Sequence, residues 1–226
     1  MKTIKEITEA LKASTQIEPW MDQIAQDERA GVMKVWTQFQ KRLEKVEVLQ
    51  KAHDEKLQFD AGYLPYEDAY IAGTDEAGRG PLAGPVVTAA VILPNYCQEL
   101  LGVNDSKLLS KEKRKEYAER IKKHALYYAV HFQSVEEIDR LNIYEATRQS
   151  MLKSIEALEA TPHFILADAM TLPVAIPQAS IIKGDARSLA IAAASILAKT
   201  ARDEYMENLD LQFPEYGFAQ HAGYGT

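Results

Sequence analysis

The chain of 226 residues is 46% hydrophobic, carries a formal charge of −7 and contains one cysteine. Its length suits one full core with a small satellite, no apolar run reaches the ~18 residues of a membrane span, and the opening MKTIKEITEALKAS lacks a signal peptide's apolar stretch. The lone Cys97 excludes an internal disulfide framework and a cysteine-based zinc cluster, so a soluble protein of the cytoplasm with no membrane partner is expected.

Residues 1 to about 62 read as helical. Thr3 and Glu6 form a capping-box pattern ahead of Ile4, Ile7 and Leu11 on one face. A longer amphipathic helix carries Val32, Val35 or Trp36, Phe39, Leu43 and Val46 at spacings of three and four. FDAGYLPYEDAY, with Gly62 and Pro65, has the composition of a linker. The predicted organisation is therefore a helical extension over residues 1–69 and a main domain over 70–226. From residue 70 the pattern changes. YIAGTD, GPVVTAAVIL and ALYYAVHFQSV read as strands, the last two separated by a helix opened by Ser110. Ser134 to Glu137 and Asn142 to Glu145 head further helices, HFILAD and ASIIKGD are two more strands, and RSLAIAAASILAKTARDEYMENL is a long alanine-rich helix. The expected fold is α/β, a mixed five-stranded sheet flanked by helices, with a small N-terminal helical domain.

Four acids fall at strand ends: Asp75 and Glu76 after the first, Asp168 after HFILAD, and Asp185 after ASIIKGD. The crevice beyond strand ends is where α/β sheets bind ligands. An isolated acid at a strand end is usually a turn residue or helix cap, and Asp185 could simply cap its helix. Together they would repel one another unless a divalent cation joined them. Oxygen-only ligation points to Mg²⁺ or Mn²⁺ rather than zinc, and such ions suit two-metal phosphodiester cleavage. Asp203 competes with Asp185 for the fourth place, but 18 helical residues separate the two by about 27 Å, so both cannot touch one metal pair; Asp185, beside its strand end, is preferred.

Gly78, Gly80 and Gly84 match neither the dinucleotide fingerprint nor a Walker loop, leaving a bare backbone that a ligand can approach, with Arg79 in its middle suited to a phosphate. Residues 107 to 123 hold eight basic and three acidic residues, which read either as a solvated helix with internal pairs or as a phosphate-facing strip. His221 reads as a catalytic candidate or, as is more common for a loop histidine beside a tyrosine, as a structural hydrogen-bonding group. Ser195 and Lys199, four apart on the alanine-rich helix, read as reaching phosphate or as packing and solvated surface.

DEAGRGPLAGPV (75 to 86), NDSK (104 to 107), ILADAM (165 to 170), IIKGDARSLAIAAASILAKTARD (181 to 203) and HAGYGT (221 to 226) resemble, in this order, the motifs of the bacterial ribonuclease HII family. The resemblance implies a ribonuclease H-like fold over residues 70–226 and a monomeric endonuclease. Its implied substrates are RNA–DNA hybrids and DNA duplexes containing single ribonucleotides. It implies Mg²⁺ or Mn²⁺ held by Asp75, Glu76, Asp168 and Asp185 as catalytic residues. It also implies recognition of the ribose 2′-hydroxyl by Gly78, Arg79, Gly80 and Tyr224, with Asp105, Ser106 and Lys107 near the substrate backbone and Lys107 on a phosphate. The sister family, ribonuclease HIII, typically lacks the arginine at position 79 and has glutamate at 185, so this chain fits it less well. A non-catalytic hybrid-binding module would tolerate loss of Asp75, which is present. Family members usually continue beyond HAGYGT, so a catalytic domain shortened at its C-terminus is expected. The balance of residues 1 to 70, ten basic against thirteen acidic, lends no support to a substrate-binding role for the extension.

Overall fold

The computed structural model describes residues 2–225. Two compact units divide at Met1–Ala52 and His53–Thr226, where the sequence reading divides the chain after residue 69.

The first unit is helical. Helix α1 (Ile4–Ala13) begins at the expected capping box: the Glu6 amide donates to Thr3 Oγ1 at 3.3 Å and the Thr3 amide to Glu6 Oε2 at 2.7 Å. A 3₁₀ turn (Pro19–Met21) and α2 (Asp22–Ala25) follow, then the long α3 (Ala30–Ala61). Ile7, Leu11, Met21, Ile24, Val32 and Phe39 form a small core, with Val35, Trp36 and Leu43 at its margin. Arg42 closes the C-terminal end of α1 by donating to the carbonyls of Leu11 and Ser14 at 2.7 and 2.6 Å. Val46, which the apolar spacing assigns to the buried stripe, is exposed with Val48 and Leu49. The cover that α1 and the following turns supply ends at Leu43.

The second unit is built on a sheet of order β3-β2-β1-β4-β5. In chain order it contains β1 (Ile71–Ala77), β2 (Val86–Ile92), α4 (Lys111–His124), β3 (Tyr127–Gln133), α5 (Val135–Leu141), α6 (Ile143–Glu156), β4 (Phe164–Asp168), β5 (Gln178–Ile181), α7 (Gly184–Arg187), α8 (Leu189–Gln212) and α9 (Phe218–His221). The first three strands pair antiparallel, and β4 and β5 run parallel to β1, giving the predicted mixed sheet. Ser110, Ser134 and Asn142 cap α4, α5 and α6, each accepting from the amide three residues on, a contribution of about 1 kcal/mol apiece.

Helices cover both faces, which is why β2 reads as an unbroken apolar run and is buried throughout. Ala89 and Val91 face α8 and α4, while Ala90 and Ile92, with Ala72, Ile165 and Ala167, face Met151 and Ile155 of α6. The alanines of α8 allow it to lie close to β1. A Cβ on Gly73 would collide with the backbone of Ala190 and Ile191, so glycine alone fits there. The final turns of α3 group with this unit, Phe59 packing against the cluster of Ile71, Leu166, Ile181 and Ile191. Among the described residues no helix is long and apolar enough to cross a membrane.

Candidate active site

Parallel pairing sets the C-terminal ends of β1 and β4 side by side. Thr74 lies opposite Ala167, so Asp75 and Asp168 follow in adjacent positions, and Asp168 in turn lies opposite Ile181 at the end of β5. Asp75, Glu76 and Asp168 each bring a carboxylate oxygen within 4.8 Å of the others, as the strand-end argument anticipates. Asp185 follows β5 on the short helix α7 and stands outside that group of three, near enough to Asp168 to feel its charge.

Asp185 and Asp203 do not share a helix, contrary to the continuous-helix spacing used to separate them. Ser188 is extended between α7 and α8 (φ −110°, ψ 134°), because its hydroxyl caps α8 by accepting from the Ile191 amide at 3.1 Å. Asp203 is instead paired, accepting from Arg114 at 3.1 Å and Lys199 at 2.6 Å.

Asp75 and Asp185 are buried and Glu76 and Asp168 half-buried, with fewer cations at hand than carboxylates. Asp75 is 4% exposed. Burial, reinforced by the Glu76 and Asp168 carboxylates, pushes its carboxyl well above the usual range, against the Ser195 hydroxyl and a 2.7 Å hydrogen bond from the Glu76 amide. Burial also raises Glu76, opposed by Arg79, whose Nη1 lies 3.1 Å from Oε1. The other oxygen, Glu76 Oε2, is buried with no hydrogen-bond partner. Asp168 Oδ1 accepts from the Gly184 amide at 2.7 Å, which fixes α7 to the end of β4. Burial raises Asp185 too, with Asp105 and Asp168 adding to the shift and Lys107 opposing it. Three clustered carboxylates, a fourth nearby and an unsatisfied buried oxygen form the donor set a hard divalent cation needs.

Beside the acids the Gly78–Arg79–Gly80 segment leaves β1. Gly78 has φ +106°, and a Cβ there would strike Pro85 O and the Arg202 side chain. Arg202, 1% exposed, donates from Nε to Pro85 O (3.0 Å), from Nη2 to Ala83 O (2.9 Å) and from Nη1 to Ala222 O (2.9 Å). The Leu82 and Ala83 amides donate to Gly223 O at 2.8 and 3.2 Å. This clasp brings the exposed Tyr224 ring next to Gly80, its Cε1 3.4 Å from where a Cβ would stand. His221 has the structural role expected: Nδ1 accepts from the Gly223 amide at 3.0 Å, which leaves Nε2–H to donate to Tyr216 O at 2.6 Å.

Lys107 is exposed on a 3₁₀ turn (Ser106–Leu108) that Asp105 caps, accepting from the Lys107 amide at 2.8 Å. Ser195 is buried, its hydroxyl shared between Ser106 at 3.1 Å and the Asp75 carboxyl, so it faces inward to the acids, and Lys199 is committed to Asp203. On the basic helix, Lys113 and Lys122 pair with Glu116 and Glu119, and Arg114 turns inward, favouring the solvated and structural reading for those residues.

Two residues that the sequence reading does not assign also belong here. Arg202 is an arginine on a helix otherwise rich in alanine, which is its signal in the sequence. Lys56 lies on the far side of the linker and had no local signal. It is 5% exposed and donates to Asn104 Oδ1 at 3.0 Å and Asp185 O at 2.9 Å.

Two family models match the chain, Ribonuclease HII over residues 72–226 and Ribonuclease HII N-terminal domain over residues 3–64. The ribonuclease HII of Halalkalibacterium halodurans is 46% identical over 226 residues, covering 99% of this chain and 86% of that protein. The ribonuclease HII of Bacillus pumilus is 46% identical over 227 residues, covering 100% of this chain and 89% of its own. The crystal structure of the ribonuclease H2 from Pyrococcus horikoshii OT3 superposes with a TM-score of 0.61 at 27% identity, covering 70% of this chain and 81% of that one.

Proposed function

The chain belongs to the ribonuclease HII family and is a ribonuclease acting on RNA–DNA hybrids; from that premise we propose that it also nicks DNA duplexes on the 5′ side of single embedded ribonucleotides. The products are a 3′-hydroxyl and a 5′-phosphate. The observation that carries the reading is the gathering of carboxylate oxygens of Asp75, Glu76 and Asp168 within 4.8 Å of one another, with Glu76 Oε2 buried and unpartnered.

Asp75, Glu76, Asp168 and Asp185 would hold Mg²⁺ or Mn²⁺. Two such ions, when bound, supply the charge that lowers the pKa of an attacking water and stabilises the leaving oxygen. The chain's own groups do the rest. Arg79 neutralises one Glu76 oxygen and leaves the other to a cation. The glycines on either side of it expose backbone amides and carbonyls to a minor-groove sugar, where the 2′-hydroxyl distinguishes RNA from DNA. Tyr224, held against Gly80 by the Arg202 clasp, forms the other wall of that sugar site. Lys107, exposed beside Asp185, meets a backbone phosphate; Lys107→Ala should weaken substrate binding and flatten its salt dependence.

The test is cleavage of a labelled DNA duplex with one ribonucleotide, in Mg²⁺, Mn²⁺ or chelator, beside Asp75→Asn. The expected result is a metal-dependent nick 5′ to the ribonucleotide, absent in the variant. Cleavage that persists in chelator or in Asp75→Asn would refute the reading.

A further inference from the structure

The N-terminal family model extends to residue 64, yet the compact unit that contains the sheet begins at His53. Three residues in the intervening turns of α3 lie on one helical face, at positions i, i+3 and i+4, and all three reach the segment that carries Asp185. The Lys56 ammonium donates to Asp185 O at 2.9 Å. The Phe59 ring lies under the Arg187 guanidinium, 4.7 Å from its centroid, and Asp60 Oδ2 accepts from the Ala190 amide at 3.0 Å. Helix α7 has four residues, too few to hold itself; Lys56 and Phe59 fix it from outside, and Asp60 holds the first turn of α8 that follows it.

Lys56 also holds the opposite loop. Its second acceptor, Asn104 Oδ1, takes a further hydrogen bond from the Asp105 amide at 3.0 Å, at the start of the turn that presents Lys107. A lysine this enclosed is unusual, and here the two acceptors, Asn104 Oδ1 and the Asp185 carbonyl, are neutral while the Asp185, Asp105 and Asp60 carboxylates supply compensating charge. A merely structural ammonium would be expected to pair directly with a carboxylate. This one instead spans two loops, each carrying a residue assigned to cation or substrate.

We infer that Lys56 is a positioning residue of the active site, setting the place of Asp185 and of the Asn104–Lys107 turn relative to the acids on β1 and β4. The inference rests on the reading of Asp185 as a cation ligand. It makes the last turns of the N-terminal segment part of the cation site's support, acting through a backbone carbonyl. Support of this kind typically changes metal affinity 10–100-fold.

The experiment uses the full chain, stripped of metal, with direct calorimetric titration of Mn²⁺ alone. Lys56→Met, which keeps bulk without donors, and Lys56→Gln, which keeps donors without charge, are each measured singly and combined with Asp185→Asn. Thermal melts run alongside, and Lys56→Gln carries the comparison if Lys56→Met melts without cooperativity. Expected is a 10–100-fold weaker Mn²⁺ affinity in Lys56→Met, a smaller loss in Lys56→Gln, and no additional loss from either when Asp185 is already Asn. Affinity within about twofold of the unaltered protein in both variants, or the full loss repeated on top of Asp185→Asn, would overturn the inference alone. If Asp75→Asn and Asp185→Asn themselves leave Mn²⁺ binding unchanged, the reading of the acids fails and this inference with it.

Discussion

Two groups of carboxylates in the sheet-containing unit are handled in opposite ways. On the outer side of α8, Asp203 is matched by Arg114 and Lys199, and Glu207 by Lys111 at 2.6 Å and Lys115 at 3.8 Å. At the strand ends, Asp75, Glu76 and Asp168 crowd together, and Arg79 is the cation that reaches them, at a single Glu76 oxygen, among the described residues. Paired charge at a half-buried surface is structural. Like charge kept buried and unpaired works against folding and is retained where a ligand uses it.

The sharpest way to separate the two groups is Asp75→Asn. Cleavage should fall by at least about 10²–10³-fold, while the thermal midpoint of the metal-free protein rises, because one member of a repelling buried set is gone. A fall in both would mean that the cluster is structural after all. Arg202→Met should have the largest effect on stability. It leaves the carbonyls of Pro85, Ala83 and Ala222 without their donor, and denaturant unfolding should show a loss of about 3–5 kcal/mol.

Asp60 tests the same principle away from the acids. Burial pushes its carboxyl up to about 6, so the folded state favours the protonated form. Its contribution to stability is fully present below the unfolded value near 3.8 and is lost as pH rises through about 6. Asp60→Asn lacks that dependence, so between pH 4 and 7 unfolding free energies should shift in the variant's favour by on the order of 2–3 kcal/mol. Parallel pH profiles would refute this. The smallest effect is expected at Asp203→Asn: about 1–2 kcal/mol of stability from a partly buried pair, with cleavage within a few-fold of the unaltered enzyme.

Much of this organisation could be read from local pattern. The strands follow from apolar, β-branched runs, the caps from Ser110, Ser134 and Asn142, and three of the four acids meet because strand ends in a parallel pair are neighbours. What local pattern missed depends on contacts made across long separations. Lys56 lies 129 residues from Asp185, in a helix whose amphipathic spacing describes a different core. Val46 fits the apolar spacing of α3 but extends past the residues that cover it. The break at Ser188 was hidden because SLAIAAASILAKT is helical in composition on one side only, and the cap that interrupts it is a single hydroxyl.

The most direct test of the central claim is Mn²⁺ titration of the metal-free protein, comparing Asp75→Asn with Asp203→Asn. The strand-end acids as cation ligands predict binding abolished or greatly weakened in the first and unchanged in the second. Equal affinities in the two variants, or loss confined to Asp203→Asn, would contradict it.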